Sequence, residues 1–166
     1  IGTGSSLPQK VVTNDDLAAI MDTSDEWISS RTGIRKRHIA TTETTTSLAV
    51  EAVKAALSDA GTDGSEIDLI IAASVTGDKI VPSLACRIQA EIGADSAVAF
   101  DINAACSGFL FALATADAYF KTGRFHKAVI LGAEVLSKIM DWNDRSTCVL
   151  FGDGAGAAVV SDEGNR

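Results

Sequence analysis

The chain has few cysteines, and their spacing suits neither of the structures that cysteines usually build. Cys86, Cys106 and Cys148 form an odd set with no C-x-x-C pair and no neighbouring histidine. That fits neither a disulfide framework nor a zinc site, and no metal site is expected. Free thiols point to a reducing compartment, and no basic leader with a small-residue cleavage site opens the sequence. A cytoplasmic location is therefore expected. Long apolar runs are also missing: Ala128–Ala133 and Ala155–Val160 are far too short to span a bilayer, so no membrane partner is expected. A net charge of −8 argues against nucleic acid as a general partner. There is no low-complexity tract, internal repeat or linker, so residues 1–166 read as one unit, long enough to bury a core.

What is present alternates between strand and helix signals. Ile1–Gly4 reads as a strand. Asn14–Met21 reads as a short helix, with Thr13 or Asn14 as its cap and two aspartates in its first turn. Ser47–Ala60 reads as a helix with Glu51, Lys54 and Ser58 on one face, closed by Gly61. Asp68–Val75 is an unbroken apolar run of strand length. Pro82 suits the first turn of a helix that Gly93 ends. Ala97–Ile102 is a strand, Ser107–Lys121 a helix, Lys127–Ala133 a strand, and Cys148–Ser161 contains a last strand after a glycine turn. Continuous apolar strands alternating with helices predict an α/β fold, a mostly parallel sheet with helices packed on it. The short link between the last two strands leaves room for one of them to run antiparallel.

Cys106 stands out by its surroundings. In AVAFDINAACSGFLF, residues 97–111, a strand ends near Asn103 and a helix opens at or just after the thiol. Small neighbours (Ala104, Ala105, Ser107, Gly108) permit a sharp turn and close approach of a substrate. A helix N-terminus offers unpaired N–H groups and a positive dipole end, which favour a thiolate, the reactive form. The Cys106 N–H is itself a candidate oxyanion donor. By composition alone a packing cysteine beside a helix start stays open, and Cys86 and Cys148 keep that reading: Cys86 lies within a helix and Cys148 opens an apolar strand.

Four collinear stretches, IGTGSSLP, DTSDEWISSRTGIRKRHIA, AACSGF and DRSTCVLFGDGAGAAVV, span nearly the whole chain. Together they resemble β-ketoacyl-acyl-carrier-protein synthase III, a condensing enzyme of the thiolase-like superfamily that initiates fatty-acid synthesis. The resemblance implies a thiolase-like βαβαβαββ unit with a five-stranded sheet, in the N-terminal half of such an enzyme. The decarboxylating His and Asn would then belong to a homologous C-terminal half. His38 and His126 have no triad-like context and read as surface or capping residues.

The resemblance implies that Cys106 takes an acyl group from acyl-CoA, which then condenses with malonyl-acyl-carrier protein with loss of CO2. Acyl-CoA is a substrate, and no cofactor is implied. Trp27 and Arg145 would flank the adenine of coenzyme A, Arg31 would bind its phosphates, and Thr23 would lie nearby. An indole and a guanidinium both stack on flat bases, and arginine matches phosphate oxygens in pairs. That gives the basic cluster Arg31, Arg35, Lys36 and Arg37 a reason, with Arg35–Arg37 either attracting the acidic carrier or lying plainly on the surface. Val81, Leu136 and Phe151 fall where the family lines its acyl pocket, Val81 reaching across a homodimer interface; valine there leaves branched and medium chains open. GDGAG, residues 152–156, lacks the G-x-G-x-x-G pattern and precedes a strand, which disfavours a nucleotide loop; the resemblance implies instead a glycine turn packing beside the site. A related priming enzyme of polyketide or secondary metabolism, and a non-catalytic half that dimerises or docks carrier protein, are the competing readings.

Overall fold

The computed structural model describes residues 1–163. Seven strands and five helices follow one another as β1 (Gly2–Ser6), β2 (Val11–Thr13), α1 (Asn14–Ala18), α2 (Asp25–Thr32), β3 (Lys36–His38) and α3 (Thr45–Ala60). Then come β4 (Leu69–Ala73), α4 (Leu84–Ile92), β5 (Val98–Ile102), α5 (Gly108–Phe120), β6 (Lys127–Val135) and β7 (Asp153–Ser161). Five strands make one sheet in the order β1-β7-β6-β4-β5. Strand β4 pairs in parallel with β5 and β6, while β7 runs antiparallel to both β6 and β1. The short β6–β7 link accounts for the reversal, because a parallel return needs a crossover of a dozen or more residues.

The core forms two layers on this sheet. Strand β4 is buried along its whole length, Leu69 to Ala73, as its unbroken apolar run requires. One face packs α3 and α4 through Ala49, Ala52, Val53, Ala56, Leu84 and Ile88. The other packs α5 through Ala112 and Ala116 against Leu69, Ile71, Ala128 and Ile130. The fully buried α5 residues on the sheet are small, Gly108, Ala112 and Ala116, with Tyr119 and Phe120 packing partly buried at the end of the helix; Leu110, Phe111 and Leu113 are exposed. Helix α3 sits on β1 so closely that a Cβ on Gly4 would lie 2.2 Å from the Ala52 carbonyl oxygen. Glycine in the first motif is thus a packing requirement.

Two features are absent from the sequence reading. Residues 7–44 make an excursion holding α2 and a two-stranded sheet of β2 and β3. Buried Asn14 joins it together: its Nδ2 donates to Asp25 Oδ1 (2.8 Å) and the Ile34 carbonyl (2.7 Å), and its Oδ1 accepts from Arg37 (2.7 Å). Three expectations also need correction. Pro82 precedes the cap of α4 rather than entering its first turn, because Ser83 Oγ accepts from the Cys86 N–H and starts the helix at Leu84. Cys148 does not open a strand; it is buried in a short 3-10 turn against Met21 and Arg37, and burial pushes its thiol up. The Gly152–Gly156 run is mostly the start of β7 itself, not a turn.

Candidate active site

Strand β5 ends at Ile102, and the chain must turn sharply to place α5 back on the sheet. It does so at Ala105, the sole non-glycine residue with positive φ among those described (φ 46°). Holding a side chain in that region costs about 1–3 kcal/mol and persists only where the surroundings enforce it. A 3-10 turn over Ala105–Ser107 follows, then α5. The Ser107 and Gly108 N–H groups bond back to the carbonyls of Ala104 and Ala105, while no such return bond is made by the Cys106 N–H. Gly108 lies against the end of β4, where a Cβ would come within 2.7 Å of Ala73 Cβ. The result is an exposed Cys106 at the end of the parallel strands, just ahead of a helix.

Cys106 opens on a cleft of about 400 Å³ lined by Leu7, Ala73, Phe109, Gly132, Glu134 and the Gly154–Gly156 segment. Gly132 and Gly156 face each other across β6 and β7, and a Cβ on either would meet nothing within 4 Å. Their lack of side chains makes the cleft. Glu134, which the sequence reading passed over, joins β6 to the loop after β4. Its Oε1 accepts from the Val75 N–H at 2.8 Å, its Oε2 accepts from Thr76 Oγ1, and Thr76 Oγ1 accepts from the Val135 N–H at 2.9 Å.

A second cluster stands on α2. Ser24 Oγ accepts from the Trp27 N–H (3.1 Å), which starts the helix, and the four-residue spacing puts Arg31 on the same face as Trp27. The Arg31 guanidinium lies 4.5 Å from the centre of the Trp27 ring, and that of Arg145 lies 5.0 Å away. Arg145 arrives from a turn built on Asp144 and is fixed by donating to the Asp22 carbonyl and, at 3.4 Å, to its carboxylate. Residues 27, 31 and 145 therefore come together; Thr23 directly precedes the Ser24 cap of α2, its hydroxyl oxygen buried without a partner. A flat base between Trp27 and Arg145 needs two contacts of about 3.5 Å each, so Arg145 must swing outward by about 2 Å to admit one.

The expected acyl-pocket residues do not gather at the thiol. Val81 is 80 % exposed on the loop between β4 and α4, Phe151 is exposed before β7, and Leu136 is half-buried in the turn after β6. None of them lines the Cys106 cleft. The basic cluster divides as well. Arg37 is buried and donates to Asn14 Oδ1 and to the carbonyls of Val12 and Val149, and burial lowers its pKa; it is a structural residue. Arg35 is exposed and pairs with Asp25 at 3.6 Å. His38 Nδ1 bonds the Pro8 carbonyl (2.6 Å), and His126 on the surface pairs with Asp162, which raises its pKa. Cys86 is half-buried in α4. A larger cavity of about 660 Å³, between β2 and Trp142, holds none of the cysteines and neither arginine of the Trp27 cluster.

Residues 100–166 match the model of the 3-oxoacyl-[acyl-carrier-protein] synthase III family. A β-ketoacyl-[acyl-carrier-protein] synthase III of Streptococcus pneumoniae (strain Hungary19A-6) is 58 % identical over 154 residues, 93 % of this chain and 48 % of that protein. Among solved structures, the 3-oxoacyl-[acyl-carrier-protein] synthase III of Aquifex aeolicus VF5 superposes with a TM-score of 0.98 at 54 % identity, covering 100 % of this chain and 54 % of that one. The priming β-ketosynthase of the R1128 polyketide biosynthetic pathway gives 0.93 at 42 % identity, over 96 % of this chain and 48 % of that one. The fold is the thiolase-like α/β unit of these proteins, and the chain spans about half the length of the curated relatives it matches.

Proposed function

We propose that this chain, a member of the 3-oxoacyl-[acyl-carrier-protein] synthase III family, is the acyl-accepting half of a condensing enzyme that starts fatty-acid synthesis. Cys106 accepts the acyl group of an acyl-CoA, and the acyl group is passed to malonyl-acyl-carrier protein with loss of CO2. The observation that carries this reading is the exposed thiol on a strained turn ahead of α5, opening on a cleft cleared by glycines. A structural cysteine has no use for that geometry. Trp27, Arg31, Arg145 and Thr23 bind coenzyme A, which arrives as substrate and not as a cofactor.

Residues 1–166 act as one half-domain, and a homologous second half supplies the donors that stabilise the carbanion formed when CO2 is lost. The working protein is a cytoplasmic homodimer. Its interfaces cover the exposed apolar residues of α5 and the exposed Val81 loop, a large apolar surface for a chain alone in water. Val81, Leu136 and Phe151 then complete the acyl pocket only in that assembly. The likeness to a polyketide priming enzyme favours one other reading, the same half-reaction on a different starter acyl group.

Incubation with acetyl-CoA followed by peptide mass spectrometry tests the proposal. An acetyl mass is expected on Cys106 and on neither Cys86 nor Cys148. Label on either of the others, or none on Cys106 in a full-length protein containing this half, refutes the assignment.

A further inference from the structure

We propose that Asp78 is a positioning residue: it fixes the loop tip that carries Val81 and so sharpens the choice of acyl chain. The tip, residues 79–82, lies between β4 and α4 and is exposed throughout, Ile80 at 94 % and Val81 at 80 %. Residues 79–82 make none of the hydrogen bonds or ion pairs found among the described residues. The place of the tip is therefore set by how its two ends are tied.

The far end is tied to the strand that leads to the thiol. Asp101 of β5 accepts from the Leu84 N–H (2.8 Å) and the Ala85 N–H (2.7 Å) at the start of α4. A loop held at one end only can pivot. Asp78 supplies the second anchor: its Oδ1 accepts from the Thr45 N–H (3.2 Å), its Oδ2 accepts from the Thr46 N–H (2.8 Å), and Arg87 of α4 lies 3.7 Å from Oδ2. Thr45 Oγ1 also donates to the Thr76 carbonyl (2.7 Å), and Thr45 is itself fully buried, so the anchor point is rigid. These N–H groups open α3, where donors have no partner within the helix and the dipole favours a carboxylate. Helix α3 already has a local cap, the reciprocal bonds of Thr44 and Ser47, and does not need a carboxylate from 33 residues away in order to start. What the remote carboxylate adds is a hold on the loop, with α3, packed on the sheet, as its fixed point.

This rests on Val81 as an acyl-pocket residue of the assembled enzyme, and the test separates the two claims. The full-length protein containing this half is given an equimolar mixture of acetyl-, butyryl- and hexanoyl-CoA, and the adducts on Cys106 are read by peptide mass spectrometry at short times. The ratio of the most to the least favoured adduct does not depend on how much protein is folded, so a loss of stability alone leaves it unchanged. One methylene against a fixed apolar wall is worth roughly 10–200-fold, and Asp78→Ala is expected to lower the ratio about tenfold. Asp78→Asn keeps one acceptor oxygen and loses the Arg87 pair; it serves where Asp78→Ala does not fold, with an expected drop of about threefold. Methyl NMR relaxation of Ile80 and Val81 reads the hold directly, and both side chains should be more mobile in either variant. Val81 methyls as ordered as in the wild type, or a ratio within about twofold of wild type while Val81→Ala shifts it, overturn the proposal. A Val81→Ala protein that keeps the wild-type ratio overturns the acyl-pocket reading, and the methyl measurement then decides whether Asp78 holds the tip.

Discussion

The Gly108→Ala substitution probes whether packing, rather than the turn sequence alone, places the Cys106 thiol. The new Cβ would sit 2.7 Å from Ala73 Cβ, where carbon–carbon contacts settle at about 3.5–4.0 Å. Ala73 cannot swing aside, because its Cβ is fixed to the backbone of a fully buried strand. The start of α5 must therefore back off by about 1 Å, and overpacking of this kind costs about 1–3 kcal/mol. The helix gains something in return, since alanine exceeds glycine by up to about 1 kcal/mol in a helix interior, though less at a first position. The net loss is about 1–2 kcal/mol, or a fall in Tm of several degrees for a chain of this size. Displacing the Ala105–Ser107 turn by about 1 Å should also cut acyl loading on Cys106 far more than stability, on the order of a hundredfold. Calorimetry and acetyl-CoA labelling of the same sample measure both, with Gly132→Ala as a control for the melting temperature alone, because a Cβ there meets nothing within 4 Å but fills part of the Cys106 cleft. A Gly108→Ala chain that melts at or above the wild-type temperature and loads at the wild-type rate would falsify the argument.

Three further outcomes are expected. Arg31→Ala or Arg145→Ala should weaken coenzyme A binding by roughly ten- to hundredfold, as charge-assisted contacts are worth about 1.5–3 kcal/mol each; Trp27 fluorescence during titration reads it, and an equal loss for thioesters lacking the nucleotide would contradict it. Arg37→Leu should cost about 3 kcal/mol or more by urea unfolding, because Asn14 Oδ1 and the Val12 and Val149 carbonyls lose a buried donor; a cost under 1 kcal/mol would show that water replaces it. Glu43 accepts from the Thr41, Thr42 and Gln9 backbone N–H groups, and these bonds hold its pKa down to about 2. A carboxylate lowered on folding contributes stability above its unfolded pKa of about 4.5 and loses it as pH falls toward 2, so Glu43→Gln should flatten the fall in Tm over that window.

Several features of the chain were legible before any coordinates. The alternation of apolar runs with helical periods identified the sheet strands and α3, α4 and α5 to within a few residues, most sharply at β4, where burial on both faces leaves an unbroken apolar run. Cys106 was legible because a strand end, small residues and a helix start are contiguous in sequence. Local chemistry and one-dimensional spacing suffice for such features.

What the tertiary structure alone decided depends on residues distant in sequence. Arg37 looked like one member of a basic surface cluster, yet it is buried because Asn14 and Val149, 23 and 112 residues away, supply its acceptors. Arg145 stands over Trp27 because Asp22, 123 residues away, holds it there. Glu134 gave no motif at all. It reaches the Cys106 cleft because β6 pairs with β7 at Gly154 and reaches across to Val75 and Thr76. The strain at Ala105 was equally hidden, because a positive φ at alanine is imposed by the packing of β5 and α5 rather than preferred by the residue. The sequence by itself determined where the five strands of the main sheet and helices α1, α3, α4 and α5 form, and that the Cys106 thiol falls at a strand-to-helix turn. Which charged side chains face that thiol was decided by strand order and register, which no local pattern encodes.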